Sequence, residues 1–206
     1  MEFMKVFRKF LTIRDVENID DIMADFESYV NGRYTKDVIA DSIVDFLDVL
    51  CDSPTRWQSF AKYIGKEFPK EQYKRVLDVG CGPLADLSLV LTNMGYETTG
   101  IDPRVHEKGR IKLIRRAFDY LKTDVSNFDL IVGLEPCDAT EHIVRSSLKN
   151  NVPSAISLCA APHNGIDGRS FGTTNEWYDF LLSLSNSRGQ LKEVVSDKTH
   201  MILKIK

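Results

Sequence analysis

The chain has few cysteines, no long apolar run and little net charge, and each shortage narrows the range of functions. Its four cysteines, Cys51, Cys81, Cys137 and Cys159, show no Cys-x-x-Cys spacing, so the sequence predicts neither a metal site nor a disulfide framework. No apolar stretch is typical of a signal peptide or a membrane span, and we expect a cytoplasmic protein without membrane association. A net charge of −3 predicts no dominant affinity for polyanions.

The first third of the sequence has helical periodicity. Two apolar stripes recur at helical spacing, one from Val16 to Val30 and one from Val38 to Leu50. Ser53-Pro54 is typical of a helix start and predicts a third helix that carries Trp57 and Phe60. The pattern predicts a helical cap region over residues 1–69 and a second domain over residues 70–206, which together can form one compact unit.

From Lys74 onward, apolar runs alternate with helical patterns, which predicts an α/β fold with a doubly wound, mostly parallel sheet. The predicted strands are 74–79, 96–101, 112–117, 128–134 and 154–160, followed by an antiparallel hairpin of 191–195 and 201–205. The sequence therefore predicts seven strands after an N-terminal helical region.

A glycine-rich turn follows the first predicted strand. The strand ends in Asp78, and Gly80, Cys81 and Gly82 come next, before a helical pattern. The glycines let the backbone approach a bound nucleoside, because a Cβ at either position would obstruct it. Cys81 belongs to the same cofactor-binding turn, where its thiol is expected to fill space and not to act as a nucleophile. Asp102 ends the next strand about twenty residues on, the distance at which a carboxylate binds ribose hydroxyls.

Two kinds of cofactor compete for this turn. The pattern Gly80-x-Gly82-x-x-Ala85 satisfies the dinucleotide fingerprint, whose last glycine can be alanine. Asp78 opposes a dinucleotide, because its carboxylate would repel the pyrophosphate. The same carboxylate would attract S-adenosylmethionine, which is cationic at its sulfur and its α-amine.

The stretch Val76–Gly82 resembles motif I of the class I S-adenosylmethionine-dependent methyltransferases, although Leu84 stands where a third glycine often sits. Asp102 resembles the acidic residue that ends their second strand, and Phe128–Pro136 is similar to their fourth strand and motif IV. The terminal hairpin also matches the family. The resemblance implies a Rossmann-like fold, methyltransferase activity and S-adenosylmethionine as the cofactor.

The resemblance also implies further contacts to the cofactor. Asp119, just past the third strand, matches the position of a carboxylate that binds the adenine amine, and Phe118 beside it could cover the ring. A solvated loop position is the alternative for Asp119.

The candidate catalytic residues are Glu135 and His163, because each follows the carboxyl end of a strand and could act as a general base. Glu135 could contact the cofactor instead of the acceptor. Asp138 is a further candidate, but its position predicts a helix N-cap. The Asn/Asp-Pro-Pro-aromatic signature of amino-methylating enzymes is absent from Leu134–Asp138, which argues against exocyclic amino groups of nucleobases as acceptors.

The leading hypothesis is therefore a methyltransferase that acts on an unidentified acceptor, which could be RNA, protein or a small molecule. A non-catalytic S-adenosylmethionine-binding interaction module is the first alternative, and an NAD-dependent oxidoreductase is a weaker one. Six basic residues could meet phosphates: Arg104, Lys108, Arg110, Lys112, Arg115 and Arg116. They alternate with apolar residues in an acidic chain, so nucleic acid is an open but not favoured partner. The sequence leaves the oligomeric state open.

Overall fold

A computed structural model of the chain describes residues 7–8, 20–24, 26, 46, 54–105, 111–195 and 198–206. The chain divides into two compact units, residues 1–53 and residues 54–206.

The described residues of the first unit are all helical and share an aromatic core. Phe7, Phe26 and Phe46 are buried. The ring centroid of Phe26 lies 4.5 Å from that of Phe7 and 5.1 Å from that of Phe46. Two of these rings belong to the two predicted apolar stripes, and the other members of the second stripe lie outside the described residues.

The second unit contains a seven-stranded sheet. Its strands in chain order are β1 (Arg75–Val79), β2 (Glu97–Ile101), β3 (Lys112–Ile114), β4 (Leu130–Leu134), β5 (Ser154–Leu158), β6 (Gly189–Val195) and β7 (Thr199–Ile205). The order across the sheet is β3-β2-β1-β4-β5-β7-β6. Strands β1 to β5 pair in parallel, and β7 runs antiparallel to both β5 and β6. The predicted Rossmann-like sheet with a terminal antiparallel hairpin is confirmed. Strand β3 is shorter than the predicted 112–117.

Four helices accompany the sheet, namely α1 (Arg56–Glu67), α2 (Asp86–Asn93), α3 (Thr140–Asn150) and α4 (Thr174–Leu184). The cap of α1 is Thr55, whose side chain accepts from the backbone N–H of Gln58 while the Gln58 side chain accepts from the Thr55 N–H. This capping box places the helix start two residues beyond the predicted Ser53-Pro54. No helix in the described ranges is long and apolar enough to cross a membrane.

Successive strand residues point to opposite faces of the sheet, and both faces carry apolar side chains. Helices cover each of these faces. On one face, the apolar side chains of α1 and α2 pack with Val76 of β1 in a cluster that also contains Phe60, Ile64, Leu87, Leu91, Leu130 and Ile202. On the other face, α3 and α4 pack with Leu77 in a cluster that also contains Ile143, Val144, Trp177, Leu181, Ile131 and Ile156. Helix α1 therefore contributes directly to the core of the sheet, although the sequence placed it in the cap region. The division at residues 69 and 70 stays a prediction.

We expect residues 54–206 to unfold cooperatively as an isolated fragment, because this fragment keeps both apolar clusters. A fragment of residues 70–206 lacks α1, exposes the face around Val76 and is expected to bind the dye ANS and to lose a cooperative transition. Thermal unfolding followed by circular dichroism compares the two fragments with the full chain. Equal stability of the two fragments would contradict a core role for α1.

Candidate cofactor and acceptor site

The residues that the sequence singled out lie at one edge of the sheet. Parallel pairing aligns the carboxyl ends of β1, β2, β4 and β5, as the registers Val79↔Ile101, Asp78↔Val132 and Leu134↔Ser157 record. In open α/β sheets, ligands bind beyond this edge. The structure therefore brings the glycine turn after β1, Asp102 after β2, Glu135 after β4 and Cys159 after β5 to the same edge.

The turn after β1 has the backbone conformation that its glycines permit. Gly80 and Gly82 have φ angles of 70° and 73°, in the left-handed region. A Cβ on Gly80 would lie 3.0 Å from the Cα of Pro136, so the turn contacts the segment after β4 closely. A Cβ on Gly82 would meet no atom within 4 Å. Gly82 therefore faces open space.

Asp78 is a completely buried carboxyl group with an incomplete set of partners. Its Oδ2 accepts a hydrogen bond of 2.6 Å from the hydroxyl of Ser88 on α2. Its Oδ1 is buried and has no hydrogen-bond partner. Burial raises the pKa of Asp78 to about 7, against the lowering effect of the Ser88 hydrogen bond. The group is therefore poised between its neutral and charged forms at neutral pH.

Asp102 is nearly buried and joins the turn after β1 to the end of β2. Its Oδ2 accepts from the backbone N–H of Gly82 at 3.1 Å, and its Oδ1 accepts from the backbone N–H of Arg104 at 2.7 Å. The Arg104 guanidinium lies 3.3 Å from Oδ1. An ionised carboxylate offers about four lone-pair sites. The guanidinium also donates to Oδ2 at 3.5 Å, so four donors occupy these sites and fix the orientation of Asp102. The two guanidinium bonds are the longest of the four and come from an exposed side chain, so they are the ones that a ligand could replace.

The sequence assigned three further residues to the cofactor, namely Cys81, Phe118 and Asp119, and the structure shows the burial or contacts of each. Cys81 is half-buried, and burial raises the pKa of its thiol. Phe118 is buried and belongs to the core cluster of α3 and α4. Asp119 accepts from the backbone N–H of Leu121 at 2.9 Å, and this bond together with Lys122 lowers its pKa. The roles assigned to these residues toward a cofactor stay predictions.

Asp119 also lines a cleft of about 760 Å³ together with Tyr120, Leu121, Asp138, His142, Arg145, Asn164, Gly165, Ile166 and Asp167. The loop side of this cleft is anchored to α3, because buried Glu141 accepts from the backbone N–H of Ile166 at 2.8 Å. The cleft joins the segment after β3 to the loop after β5, and it offers space beside the glycine turn's edge of the sheet.

Glu135 has a strained backbone and an ionic partner. Its φ angle is 48°, which a non-glycine residue seldom adopts. Its carboxylate contacts the guanidinium of Arg56, the first residue of α1, at 2.6 Å. Helix α1 therefore reaches the edge of the sheet and balances the charge of the candidate base.

The segments after β4 and β5 hold a group of two cysteines and a histidine. Cys137 also has a positive φ of 49°, and its sulfur lies 3.5 Å from that of Cys159. The Cys159 thiol lowers the pKa of Cys137, which makes Cys137 the more acidic thiol of the pair. His163 lies with its Nδ1 3.7 Å from a carboxylate oxygen of Asp138. Asp138 does not cap α3: the cap position is Ala139, because a 3₁₀ turn over Cys137–Ala139 moves the helix start beyond Asp138.

Sequence reasoning missed Ser88 and Arg56, which contact Asp78 and Glu135 respectively. Ser88 is a polar residue beside Leu87 on the buried side of α2. A polar residue in an apolar stripe indicates a buried hydrogen-bond partner, and this pattern could have identified Ser88 from the sequence. Arg56 contacts Glu135 across 79 positions, and no local pattern connects residues so far apart.

No protein-family model matches the chain, and no curated protein sequence is significantly similar to it. Solved structures with a similar fold include 1,6-didemethyltoxoflavin-N1-methyltransferase from Burkholderia thailandensis, crystallised with S-adenosylhomocysteine. That match is 14% identical, covers 81% of this chain and 84% of the other, and has a TM-score of 0.47. Human N-acetylserotonin methyltransferase, crystallised with S-adenosylmethionine, is 14% identical over 90% of this chain and 66% of its own, with a TM-score of 0.49.

A third structure, the TehB-like S-adenosylmethionine-dependent methyltransferase from Corynebacterium glutamicum, is 16% identical. It covers 81% of this chain and 97% of its own, with a TM-score of 0.45. The Rossmann-like sheet is established by the strand order and strand directions of this chain itself. Because the sequence identities are low, the assignment of function depends on the residues of the site.

Replacing Asp78 with asparagine is expected to change how the stability of the protein depends on pH. The carboxyl has a pKa of about 7 when folded and about 3.9 in an unfolded chain. Below about pH 4, this group adds its full contribution to the free energy of unfolding. That contribution falls as the pH rises from about 4 to 7 and is lost above the folded pKa. Asp78→Asn should remove a loss on the order of 2–4 kcal/mol between pH 5 and pH 8, measured by urea unfolding.

Asp129→Asn is the matched control. Asp129 is a half-buried carboxylate that pairs with Arg75, and this pairing lowers its pKa. That group stays ionised from pH 5 to pH 8, so the control should keep the wild-type slope. An identical pH slope in the wild type and in Asp78→Asn would contradict the raised pKa.

Proposed function

We propose that the protein is an S-adenosylmethionine-dependent methyltransferase. One observation carries the proposal, namely the open turn at Gly82 between two carboxyl groups, Asp78 and Asp102, at the ends of adjacent parallel strands. Each part of this arrangement suits a different part of the same cofactor.

The residues present fit that cofactor. The open space at Gly82 admits the ligand close to the backbone. The partnerless Oδ1 of Asp78 is a buried acceptor that the cationic amine would satisfy. The two ribose hydroxyls would replace the exposed Arg104 guanidinium on Asp102, while the backbone N–H groups of Gly82 and Arg104 keep the carboxylate in position.

When bound, S-adenosylmethionine supplies a methyl group that its sulfonium sulfur activates toward nucleophiles. The task of the chain is then to orient an acceptor, which can contribute up to roughly 7–11 kcal/mol in favourable cases. Glu135 and His163 are the candidate bases for an acceptor that must lose a proton. Arg56 holds the Glu135 carboxylate in place at 2.6 Å, so Glu135 acts from a fixed position.

Asp78 also bears on the competing dinucleotide. An ionised carboxylate below the turn repels a pyrophosphate, but the raised pKa of Asp78 means that this repulsion is complete only above pH 7. A comparison of the two cofactor classes therefore belongs at pH 8.

These residues do not identify the methyl acceptor. Nucleic acid is still one of the possible partners. Lys112, Arg115 and Arg116 are exposed. Arg104 contacts Asp102, and Lys108 and Arg110 lie outside the described residues.

We expect isothermal titration at pH 8 to detect binding of S-adenosylhomocysteine and none of NAD. Asp102→Asn should weaken the binding of S-adenosylhomocysteine roughly 10- to 100-fold, because charge-assisted hydrogen bonds to the ribose are lost. Asp129→Asn, a carboxylate paired with Arg75 at the other end of β1, should leave the affinity unchanged. Binding of NAD in place of S-adenosylhomocysteine would reject the proposal in favour of an oxidoreductase.

Transfer of labelled methyl groups then separates an enzyme from a binding module. We expect label in one class of a fractionated extract, whether RNA, protein or small molecules, and loss of that label in Asp102→Asn. Intact binding of S-adenosylhomocysteine with no labelled fraction would support the non-catalytic module instead.

A further inference from the structure

Two thiols and an imidazole converge at the carboxyl edge of the sheet. Cys137, Cys159 and His163 each offer one ligand atom, and these atoms all lie within 4.8 Å of one another. Cys137 follows β4, Cys159 follows β5, and His163 lies in the loop before α4. The parallel pairing of β4 with β5 brings the two sulfurs together across 22 positions of the chain. Local cysteine spacing therefore gives no sign of this group.

The spacing of the ligand atoms suits a tetrahedral cation. The two sulfurs are 3.5 Å apart. Two thiolates at about 2.3 Å from a zinc ion in tetrahedral geometry lie about 3.8 Å apart. The sulfurs are thus close to the separation that a shared ion requires, and small rotations of the side chains complete it.

His163 has one buried ring nitrogen without a hydrogen-bond partner and one ring nitrogen near a carboxylate. Its Nε2 is buried and has no hydrogen-bond partner, which is an unusual state for a buried polar atom. Its Nδ1 lies 3.7 Å from a carboxylate oxygen of Asp138. Histidines that bind metals through one nitrogen commonly direct the other toward a carboxylate. Nε2 is therefore the nitrogen with a lone pair to offer.

The backbone supports the same reading. Cys137 has a φ of 49°, and Glu135, two positions before it, has a φ of 48°. Strained residues of this kind cluster at functional sites, where the surrounding structure holds them in place. Cys137 thus combines a strained backbone with a sulfur 3.5 Å from that of Cys159.

We propose that Cys137, Cys159 and His163 bind a divalent cation of the zinc type. Two sulfurs and one nitrogen form a ligand set that zinc prefers over magnesium or calcium. Three protein ligands leave a fourth tetrahedral position, and the exposure of Cys137 opens that position to solvent or to a substrate. The three ligands do not include Asp78 or Asp102, so cation binding can be measured apart from cofactor binding. His163 is also a candidate base, and binding of a cation by its imidazole would leave Glu135 as the candidate base of the proposed methyltransferase.

The test uses the reduced, metal-free full chain and Co²⁺ as a spectroscopic probe. We expect one equivalent of Co²⁺ to produce thiolate charge-transfer absorption and the d–d bands of a tetrahedral ion, and Zn²⁺ to displace it. Cys137→Ser and Cys159→Ser should abolish the charge-transfer band or weaken binding at least tenfold. His163→Ala should weaken binding at least tenfold as well. Cys81→Ser is the matched control and should bind Co²⁺ as the wild type does, because its thiol lies in the turn after β1.

A second measurement needs no variant and so does not depend on the folding of one. Zn²⁺ should protect Cys137 and Cys159 of the wild-type chain from alkylation at least tenfold, as mapped by mass spectrometry, and should leave Cys81 unprotected. The proposal is overturned by a reduced chain that shows no thiolate band and no protection. It is equally overturned by cysteine or histidine variants that bind Co²⁺ with wild-type affinity.

Discussion

The structure of this edge depends on one buried carboxyl group. Asp78 lies on β1, between β2 and β4, where water does not reach it. A buried carboxyl is costly unless it is neutral or well paired, and only one of its oxygens has a partner, the hydroxyl of Ser88. That hydroxyl approaches β2 so closely that a Cβ on Gly100 would lie 2.9 Å from it. The packing of α2, the glycine in β2 and the ionisation of Asp78 are therefore linked.

The same constraint extends to the acceptor side of the edge. Gly80 has no room for a side chain because Pro136 lies against it, so the turn after β1 and the turn after β4 share a boundary. On either side of Pro136, Glu135 and Cys137 have positive φ angles, and Arg56 of α1 forms an ion pair with Glu135. We therefore expect a side chain added at Gly80 to displace Pro136 and, with it, Glu135, the candidate base.

The parts that the sequence predicted are those encoded locally. Alternation of apolar runs with helical stripes predicted the parallel strands and the terminal antiparallel hairpin. The start of α1 was misplaced at Ser53-Pro54, although Thr55 and Gln58 carry the capping-box spacing three residues apart. Asp138 was predicted to cap α3, but the 3₁₀ turn after the strained Glu135 shifts the cap to Ala139.

The parts that could not be predicted are contacts between distant segments. The Arg56–Glu135 ion pair and the approach of Cys137 to Cys159 depend on the finished sheet, because strand pairing alone brings those segments together. The pKa of Asp78 is a similar case. The sequence shows a carboxyl before a glycine turn, whereas the degree of its burial, which sets its ionisation, is a property of the whole fold.

Proton release on binding tests the central claim most directly. If a cationic amine meets Asp78, binding of S-adenosylhomocysteine at pH 7 should draw the carboxyl into its charged form and release about half a proton. Titration calorimetry in buffers of different ionisation enthalpy counts these protons. The account predicts this release in the wild type and its absence in Asp78→Asn. Binding with the same proton count in both proteins would contradict it.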